Sequence, residues 1–419
     1  MNSHNAALLP PPPLPPSPPP PSASWLLDAR REIDAKAKPP GSLGLLEDWA
    51  VKISNIQQTL QPHITAARLL IFAGDHGITI SNPSVSAYPR EVTLPIFTDI
   101  AKGTGASAIL SRGNSCELNI IDVGMDTPET EAQGPSSAAS GAPHLTVTHA
   151  KVRRNSRDMT LGPALSPEER KAAEEVGADA VRRYIAGHAL YHHHHKTLDE
   201  STTATTHSRL AVCIGELGIG NTTAAAALVA ALTGEPAASV TGRGTGLGFE
   251  GMCLKVKVIE KALTVNSKLI QSHDPSQILE AVGGLELAAM VGAYLEAGRH
   301  RMPILVDGFV SGAAALVALH RHPPLATFLF WTHQSDEKGA AVLLQAAATK
   351  TREAGEPVYP PPLKMNLRLG EGTGALLALP LLRSACAIMR EMVTMTSVVK
   401  SGSSSSCSSS SERDGNPRL

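Results

Sequence analysis

The stretch that decides the fold runs from Leu210 to Leu228 and reads LAVCIGELGIGNTTAAAAL. Its first five residues are apolar and partly β-branched, which predicts a buried strand. Glycines follow, and the polar run Asn221-Thr222-Thr223 then leads into an alanine-rich helix. A strand, a glycine turn and a helix in this order aim backbone N–H groups and the positive end of a helix dipole at one point, which is a site for phosphate. An acid in the same turn, Glu216, is better suited to face a cation.

The same unit recurs along the chain. Short apolar segments end in small polar clusters at five places: Arg68–Ala73, Leu118–Ile121, Ala211–Ile214, Pro303–Val306 and Phe328–Trp331. Alanine-rich helical patterns lie between most of them. Apolar strands that alternate with helices predict an α/β fold with a doubly wound, mostly parallel, Rossmann-like sheet. Ligands of such sheets bind beyond the carboxyl ends of the strands, so the polar clusters there predict an active site.

Composition narrows the class of protein. The 419 residues are 42% apolar, and 37 basic residues nearly balance 38 acidic ones. This balance, with only 3% aromatic residues, argues against a nucleic-acid partner. No apolar run of membrane-spanning length is evident, so we expect no membrane partner. Five scattered cysteines without a C-x-x-C motif predict reduced thiols and a cytoplasmic location, with organellar targeting left open.

The chain lacks the usual motifs of nucleotide and metal sites. It contains no G-x-x-x-x-G-K-[ST] loop, and the glycine-rich run Thr241–Gly248 is a weak dinucleotide fingerprint because no clear strand precedes it. Paired acids followed by a Thr-rich phosphate loop, which mark magnesium-dependent pyrophosphate-sugar transferases, are also missing. The run His192–His195 lies in low-complexity sequence, and an exposed loop is the favoured interpretation over a metal site. We therefore predict no metal and no cofactor.

A second acid stands out in the phrase LRLGEGTG, residues 367–374. Glu371 lies between two glycines, so no neighbouring side chain shields its carboxylate from a ligand. The simpler interpretation, that Glu371 caps the helix that follows, is about equally good for this phrase alone. Together with Glu216, however, it suggests two acids at one site, where different environments separate their pKa values and roles.

The phrase KPPGSLG, residues 38–44, joins two helical patterns. Its prolines and glycine predict a helix–turn–helix joint, which we favour. The alternative has Lys38 or the glycine turn folding over a ligand.

Nine phrases together resemble one family, that of the nicotinate-nucleotide–dimethylbenzimidazole phosphoribosyltransferases. The resemblance extends from about residue 30 to residue 395. The phrases are KPPGSLG (38–44), AGDHGI (73–78), VSAYP (85–89), GELGIGNTTAAAA (215–227), GRGTGL (242–247), GGLELAAMVGAYL (283–295), LVDGF (305–309), HQSDEKGA (333–340) and LRLGEGTGALLALPLL (367–382).

The resemblance implies a reaction and roles for particular residues. The family transfers phosphoribose from nicotinate mononucleotide to 5,6-dimethylbenzimidazole with inversion at C1′, giving α-ribazole 5′-phosphate and nicotinate for the nucleotide loop of cobalamin. Glu371 matches the catalytic base, and Glu216 matches the second acid, which steadies the ribose or its developing positive charge. Residues expected to bind the phosphoribosyl and nicotinate groups are Gly218, Gly220, Asn221, Thr222, Lys255, Asp307 and Ser335. Residues expected to shape the benzimidazole pocket are Val85, Tyr88 and Leu369.

The resemblance also implies a homodimer and a division of the chain. A small helical domain is expected from both chain ends, residues 25–62 and 353–400, the latter with the active-site segment. Residues 63–352 would form the α/β phosphoribosyltransferase domain, with loop insertions near 129–143 and 188–208. The Pro-rich residues 1–24 and the Ser-rich residues 401–419 are expected to be disordered tails.

Three positions depart from the family pattern. Gly248-Phe249 stand where two acids are common, Ser84 replaces a usual glycine, and Asn155–Asp158 differ from the usual loop. The first departure is expected to touch the nucleotide side of the site, and it motivates one alternative: a catalytically impaired homologue that only binds nucleotides or benzimidazoles. A further alternative is a transferase that prefers another base.

Overall fold

The computed structural model describes residues 23–127, 144–195 and 207–405. Its centre is a six-stranded parallel sheet in the order β3-β2-β1-β4-β5-β6. The strands are β1 (Ala66–Gly74), β2 (Glu117–Gly124), β3 (Leu145–His149), β4 (Leu210–Leu217), β5 (Ile304–Val306) and β6 (Leu329–Trp331). The predicted fold class is confirmed. Sequence reasoning missed β3, an edge strand whose side chains are mostly half-buried.

The two central strands are β1 and β4, and the chain order of the sheet reverses between them. Every residue of β4 is buried, as expected for a strand covered by helices on both faces. In the β1–β4 register Phe72 pairs with Glu216. The predicted acid therefore sits at the point where open α/β sheets bind their ligands.

Helices cover both faces of the sheet. The α-helices are Ala23–Asp34, Leu45–Gln57, Ile78–Ser81, Thr93–Ala101, Ala106–Gly113, Pro167–His195, Asn221–Thr233, Ala237–Val240, Phe249–Val265, Ser267–Ile270, Pro275–Val282, Leu285–Arg299, Phe309–Arg321, Ala340–Glu353, Thr373–Glu391 and Met395–Ser405. Short 3₁₀ turns occur at Pro83–Val85, Arg90–Val92 and Pro323–Thr327.

Small side chains set how closely these helices pack. The helices Pro167–His195 and Leu285–Arg299 cross at two glycines: a Cβ on Gly177 would lie 1.8 Å from the carbonyl oxygen of Ala289, and one on Gly292 would lie 1.9 Å from that of Glu174. In the helix Asn221–Thr233, the alanines 224–227 are fully buried. The alanine and glycine content therefore lets helices lie close to each other and to the sheet.

Residues 35–37 and 393–395 belong to the two segments expected to form the small helical domain, and they are hydrogen-bonded to each other. The N–H of Ala37 donates to the carbonyl of Val393 at 2.8 Å, and the N–H of Met395 donates to that of Ala35 at 3.0 Å. The helix Leu45–Gln57 also continues the hydrophobic core of the sheet, since the ring of Trp49 packs edge-on against Phe330, with centroids 5.2 Å apart.

The KPPGSLG turn is a helix joint. Lys38 is buried and pairs with Glu47 at 2.8 Å, and the same carboxylate accepts from the backbone N–H groups of Gly41 and Leu43. These contacts favour the structural interpretation over a lysine that reaches a ligand.

Two segments, one expected to be a loop and the other a disordered tail, are helical in the structure. The helix that begins at Pro167 continues to His195, so residues 188–195 are helical where an insertion loop was expected. No glycine or proline interrupts the run after Gly187, so nothing in the sequence ends the helix there. Residues 401–405, expected in a disordered tail, end the helix Met395–Ser405. The predicted insertion at 129–143 and nearly all of the Pro-rich tail lie outside the described residues.

Within the part of the chain that the structure describes, one helix is long and apolar enough to span a bilayer, a feature that sequence reasoning missed. It is Thr373–Glu391, and 56% of its most apolar window is buried within the protein. Its apolar side chains therefore belong to the core of an α/β fold.

Candidate active site

A cleft of about 470 Å³ opens at the carboxyl ends of the central strands. It receives residues from the ends of β4, β5 and β6 and from the segment before the helix Thr373–Glu391. Its lining residues include Tyr88, Glu216, Gly218, Asn221, Thr222, Asp307, Ser335, Leu369 and Glu371. Nine of the predicted site residues thus share one cavity.

The glycine turn after β4 forms one wall of this cleft. A Cβ on Gly218 would lie 1.9 Å from the carbonyl oxygen of Gly74, so only glycine allows β4 to approach β1 this closely. Gly220 has a φ of 99° and begins the helix Asn221–Thr233, whose N-terminus has no side-chain cap. Uncapped N–H groups and the helix dipole make this end of the helix a suitable seat for an anion.

The side chain of Asn221 does not cap the helix, although its residue type suggests that role. Its side-chain amide donates to the carboxylate of Glu216. Asn221 therefore orients the acid and leaves the helix end open. Gly220 lies behind the turn, where an added Cβ would meet Thr79 at 2.7 Å and His76 at 3.1 Å.

Glu216 is buried among other acids. Burial raises the pKa of Glu216 well above its usual value, and the negative charges of Asp307, Glu286 and Glu371 act in the same direction, against a hydrogen bond from the backbone N–H of Glu371. In the free protein this carboxyl group is therefore biased toward its neutral, protonated form.

Glu371 belongs to a tightly held loop. Its backbone has a φ of 57°, in the left-handed region that non-glycine residues rarely adopt, between Gly370 and Gly372, which also have positive φ. The hydroxyl of Ser107 donates to its carboxylate at 3.3 Å. Burial raises the pKa of Glu371, the hydrogen bonds from Ser107 oppose this, and the charge of Asp307 adds to it.

Asp307 caps the helix that Glu371 precedes. Its carboxylate accepts from the backbone N–H groups of Gly372 at 3.1 Å, Gly374 at 2.7 Å and Ala375 at 3.2 Å. Glu371 is thus free of the capping role that the sequence allowed it. His333 Nδ1 lies 3.9 Å from Asp307 Oδ1. Burial raises the pKa of Asp307, and the charge of His333 opposes this less strongly.

Lys255 lies next to the glycine turn that follows β4 and is fully buried. Its Nζ donates to Thr222 Oγ1 at 2.8 Å and to the carbonyl of Gly242 at 3.4 Å. Burial lowers the pKa of Lys255 to about 8, against the opposing charge of Glu337. Lys255 is connected to the cleft through its hydrogen bond to Thr222, because Thr222 lines the cleft.

The sequence matches known proteins over most of its length. A family model described as phosphoribosyltransferase matches residues 18–191 and 199–399. The nicotinate-nucleotide–dimethylbenzimidazole phosphoribosyltransferase of Bradyrhizobium sp. (strain ORS 278) is 38% identical over 365 residues, which cover 87% of this chain and 91% of that protein. The protein of the same name from Geobacter sulfurreducens is 37% identical over 373 residues, or 89% and 93% of the two chains. The chain belongs to this phosphoribosyltransferase family.

A solved member of the family has the same fold. The crystal structure of the enzyme of this name from Thermus thermophilus has a TM-score of 0.74 and 34% sequence identity, and the match covers 90% of this chain and 98% of that one. The family resemblance inferred from the sequence is therefore confirmed.

The residues expected to shape the family's benzimidazole pocket divide into two groups. Tyr88 and Leu369 line the cleft and are about half exposed, at 51% and 55%. Val85 is buried and does not line it, so it supports the loop from within. Thr245 fixes that loop, because its hydroxyl accepts from the N–H of Ala87 at 2.8 Å.

The departure of this chain from the family pattern at Gly248-Phe249 lies elsewhere. Phe249 is 84% exposed, and both residues border a separate surface depression and not the cleft. The expectation that this change touches the nucleotide side of the site is therefore wrong for the described structure. Gly248 and Phe249 lie at the start of the helix Phe249–Val265, which carries Lys255 on its buried face.

Several lining residues were missed from the sequence. They include Ile96, Phe309, His333, Glu337, Asn366 and Arg368. His333 and Glu337 belong to the phrase HQSDEKGA, from which only Ser335 was selected, so the signal was present. Ser107, which holds Glu371, follows no motif and could be found only from the fold. Among the described residues no cluster of His, Cys, Asp and Glu has the arrangement of a metal site.

Proposed function

We propose that the protein transfers the 5-phosphoribosyl group from nicotinate mononucleotide to 5,6-dimethylbenzimidazole with inversion at C1′. The products are α-ribazole 5′-phosphate and nicotinate. The observation that carries the proposal is that Glu216 and Glu371 share one cleft with an uncapped helix N-terminus. Membership in the family gives the same substrates.

The phosphate would bind where the helix Asn221–Thr233 begins. The amides of Ile219, Asn221 and Thr223 already donate to Thr93, Gly218 and Gly220, so the amides of Gly220 and Thr222 are the donors proposed for the phosphate. The helix dipole supplies positive potential, and Lys255 supplies a full charge through or in place of its bond to Thr222. This anchor fixes the ribose, so that C1′ lies between the two acids. No metal is needed for this step, since the leaving group is a pyridine and not pyrophosphate.

The bond changes at C1′ need one base. A nitrogen of dimethylbenzimidazole attacks C1′ while the bond from C1′ to the nicotinate nitrogen breaks, and the bonding pair returns to the pyridinium ring and neutralises it. The proton on the second benzimidazole nitrogen passes to the Glu371 carboxylate. A raised pKa makes this carboxylate a better base than an exposed glutamate, provided that it is ionised at the working pH.

Glu216 has a different role because its environment is different. Its neutral form can donate a hydrogen bond to a ribose hydroxyl. A bound pyridinium, or the positive charge that develops at C1′, would favour the ionised form. The same side chain therefore becomes more anionic as positive charge arrives.

The test is direct synthesis of the product. Purified protein is incubated with nicotinate mononucleotide and dimethylbenzimidazole, and α-ribazole 5′-phosphate is measured by mass. We expect Glu371→Gln to reduce kcat about 10²–10⁴-fold, the usual value of a positioned base. Glu353→Gln, at an exposed helix end, is the matched control and should keep full activity.

The same experiment also tests the two alternative functions. Wild-type protein that binds either substrate but forms no product is a binding homologue, and the proposed reaction is then refuted. Mass analysis with several competing bases, including adenine and phenols, decides whether another base is preferred.

We further propose that the protein works as a homodimer in the cytoplasm, without a nucleic-acid or membrane partner. The dimer is what the family resemblance of the sequence implies. The four described cysteines, Cys116, Cys213, Cys253 and Cys386, are free thiols, in keeping with a reducing compartment. Light scattering of the purified protein should give twice the 43.8 kDa chain mass. A monomer that is fully active would contradict the dimer alone.

A further inference from the structure

Glu337 is a buried acid in the cleft that the reaction does not use. It is 6% exposed, and neither of its carboxylate oxygens has a well-formed hydrogen bond among the described residues. Polar groups buried in this way cost free energy unless a charge or a ligand compensates them. The position of Glu337 therefore needs an explanation.

A single glycine lies between this acid and Lys255. The carbonyl of Gly242 accepts a hydrogen bond from Lys255 Nζ, and a Cβ on Gly242 would lie 1.6 Å from Glu337 Oε2. Any side chain at Gly242 would displace the carboxylate. The glycine thus lets a carboxylate lie against the residue whose carbonyl accepts from a buried lysine.

Lys255 needs such a neighbour. Both of its hydrogen-bond partners, Thr222 and the Gly242 carbonyl, are neutral, while a buried ammonium group is costly without an opposite charge. Glu337 is the acid whose charge raises the pKa of Lys255. Burial raises the pKa of Glu337, and Lys255, the nearby N–H of Gly244 and Arg368 oppose this.

We propose that Glu337 is a positioning residue that keeps Lys255 protonated behind the turn, so that this lysine is ready to neutralise the phosphate of the substrate. The proposal rests on the function proposed above. Glu337 does not touch the reacting atoms. It acts through Lys255, and its own negative charge repels the phosphate weakly.

Replacement of Glu337 is therefore expected to change the binding of nicotinate mononucleotide in a way that depends on pH. Near pH 6 Lys255 is protonated with or without Glu337, so Glu337→Gln should bind nicotinate mononucleotide as well as wild type or slightly better. Loss of the carboxylate lowers the pKa of Lys255 below its value of about 8. At pH 8, where about half of the wild-type lysine is protonated, the protonated fraction then falls, and affinity for the mononucleotide should fall several-fold.

The experiment is calorimetric titration of full-length protein with nicotinate mononucleotide and with nicotinate riboside, which lacks the phosphate, at pH 6 and pH 8. We expect Glu337→Gln to weaken binding of the mononucleotide at pH 8 only, and to leave riboside binding unchanged at both values. Glu337→Asp, which keeps the charge, should restore most of the affinity at pH 8. Lys255→Arg combined with Glu337→Gln should bind the mononucleotide as Lys255→Arg alone does at both pH values, because arginine stays charged without the carboxylate.

Three outcomes would overturn the inference. Equal loss of mononucleotide and riboside affinity would mean that Glu337 binds the ribose directly. Loss at both pH values, with an altered melting temperature, would mean that it only supports the fold. Unchanged binding at pH 8 would mean that Lys255 does not need it. Wild-type protein that neither binds the mononucleotide nor forms product would instead refute the proposed function.

Discussion

Replacement of Asp307 by asparagine should impair catalysis far more than it impairs folding. Asp307 accepts from Gly372 through Oδ2 and from Gly374 and Ala375 through Oδ1, and these bonds fix the start of the helix directly after Glu371. Asparagine keeps one acceptor oxygen, but its NH₂ group then faces the N–H of Gly372. One charge-assisted hydrogen bond is lost and two donors are brought together.

The cost to stability is moderate. A hydrogen bond to a charged group contributes about 1.5–3 kcal/mol, and asparagine recovers part of this because it avoids burying a charge. A net loss of roughly 2 kcal/mol follows, which lowers the melting temperature by a few degrees in a chain of this size. The cost to catalysis is larger, since Glu371 directly precedes Gly372 and a displacement of about 1 Å costs about 100-fold in rate.

A matched control separates the two effects. Asp274 also caps a helix, accepting from the N–H of Ser276 at 2.8 Å, but it lies outside the cleft. Asp274→Asn should cost up to about 1 kcal/mol and leave kcat unchanged. Both variants are compared by thermal denaturation and by kcat for α-ribazole 5′-phosphate. If Asp307→Asn kept kcat within about three-fold of wild type, the cap would not be what holds Glu371 in place.

Three further predictions address the rest of the site. Glu216→Gln should make the ligand-free protein more stable than wild type at pH 8, with little difference near pH 4.5. Because folding raises the pKa of Glu216, the stability that this group contributes is present below its unfolded pKa and is lost as pH rises toward the folded value. Parallel thermal melts check this, and a gain that is the same at both pH values would contradict it. Gly218→Ala should abolish binding of nicotinate mononucleotide or prevent folding, because its Cβ would lie 1.9 Å from a backbone oxygen. The control Gly113→Ala, where nothing lies within 4 Å of the added Cβ, should be tolerated. Soluble yield and calorimetric titration compare the two variants. Phe249→Glu, which restores an acid that the family pattern favours, should change kcat/KM less than about two-fold because Phe249 is 84% exposed outside the cleft, and a large gain in turnover would show that the departure matters.

Much of the fold could be read from the sequence because the central strands are continuous apolar runs. Five apolar strands that end in small polar clusters imply a parallel sheet and predict the edge at which ligands bind. The missed strand β3 lies at the sheet edge and pairs with β2 alone, so its residues carry a weaker apolar signal. The length of the helix Pro167–His195 was underestimated because its last residues looked like low-complexity sequence, although histidine is compatible with a helix.

The partners of the predicted acids could not be read from the sequence. Glu216 and Glu371 were identified from their glycine-rich surroundings, yet Ser107 lies 264 residues before Glu371 and contacts it only through the fold. Asp307 illustrates the opposite case. Its position after β5 indicated a site residue, but its three backbone contacts, which assign it to helix capping, depend on the register of a segment 65 residues later.

The grouping of acids has an energetic consequence for substrate binding. Burial raises the pKa values of Glu216, Asp307 and Glu371, and for Glu216 and Glu371 the charge of a neighbouring acid adds to this. Three acids held this close favour protonation of at least one of them until a positive charge enters. In the proposed binding mode, nicotinate mononucleotide brings a pyridinium to the acids and a phosphate to Lys255, so each end of the substrate offsets an unfavourable charge in the protein. The proposed reaction then removes the pyridinium charge and delivers a proton to Glu371, which weakens the hold on the products. Such a site would bind the pyridinium ring of the substrate better than the uncharged ring of the leaving nicotinate, so product release would follow from the same electrostatics that select the substrate.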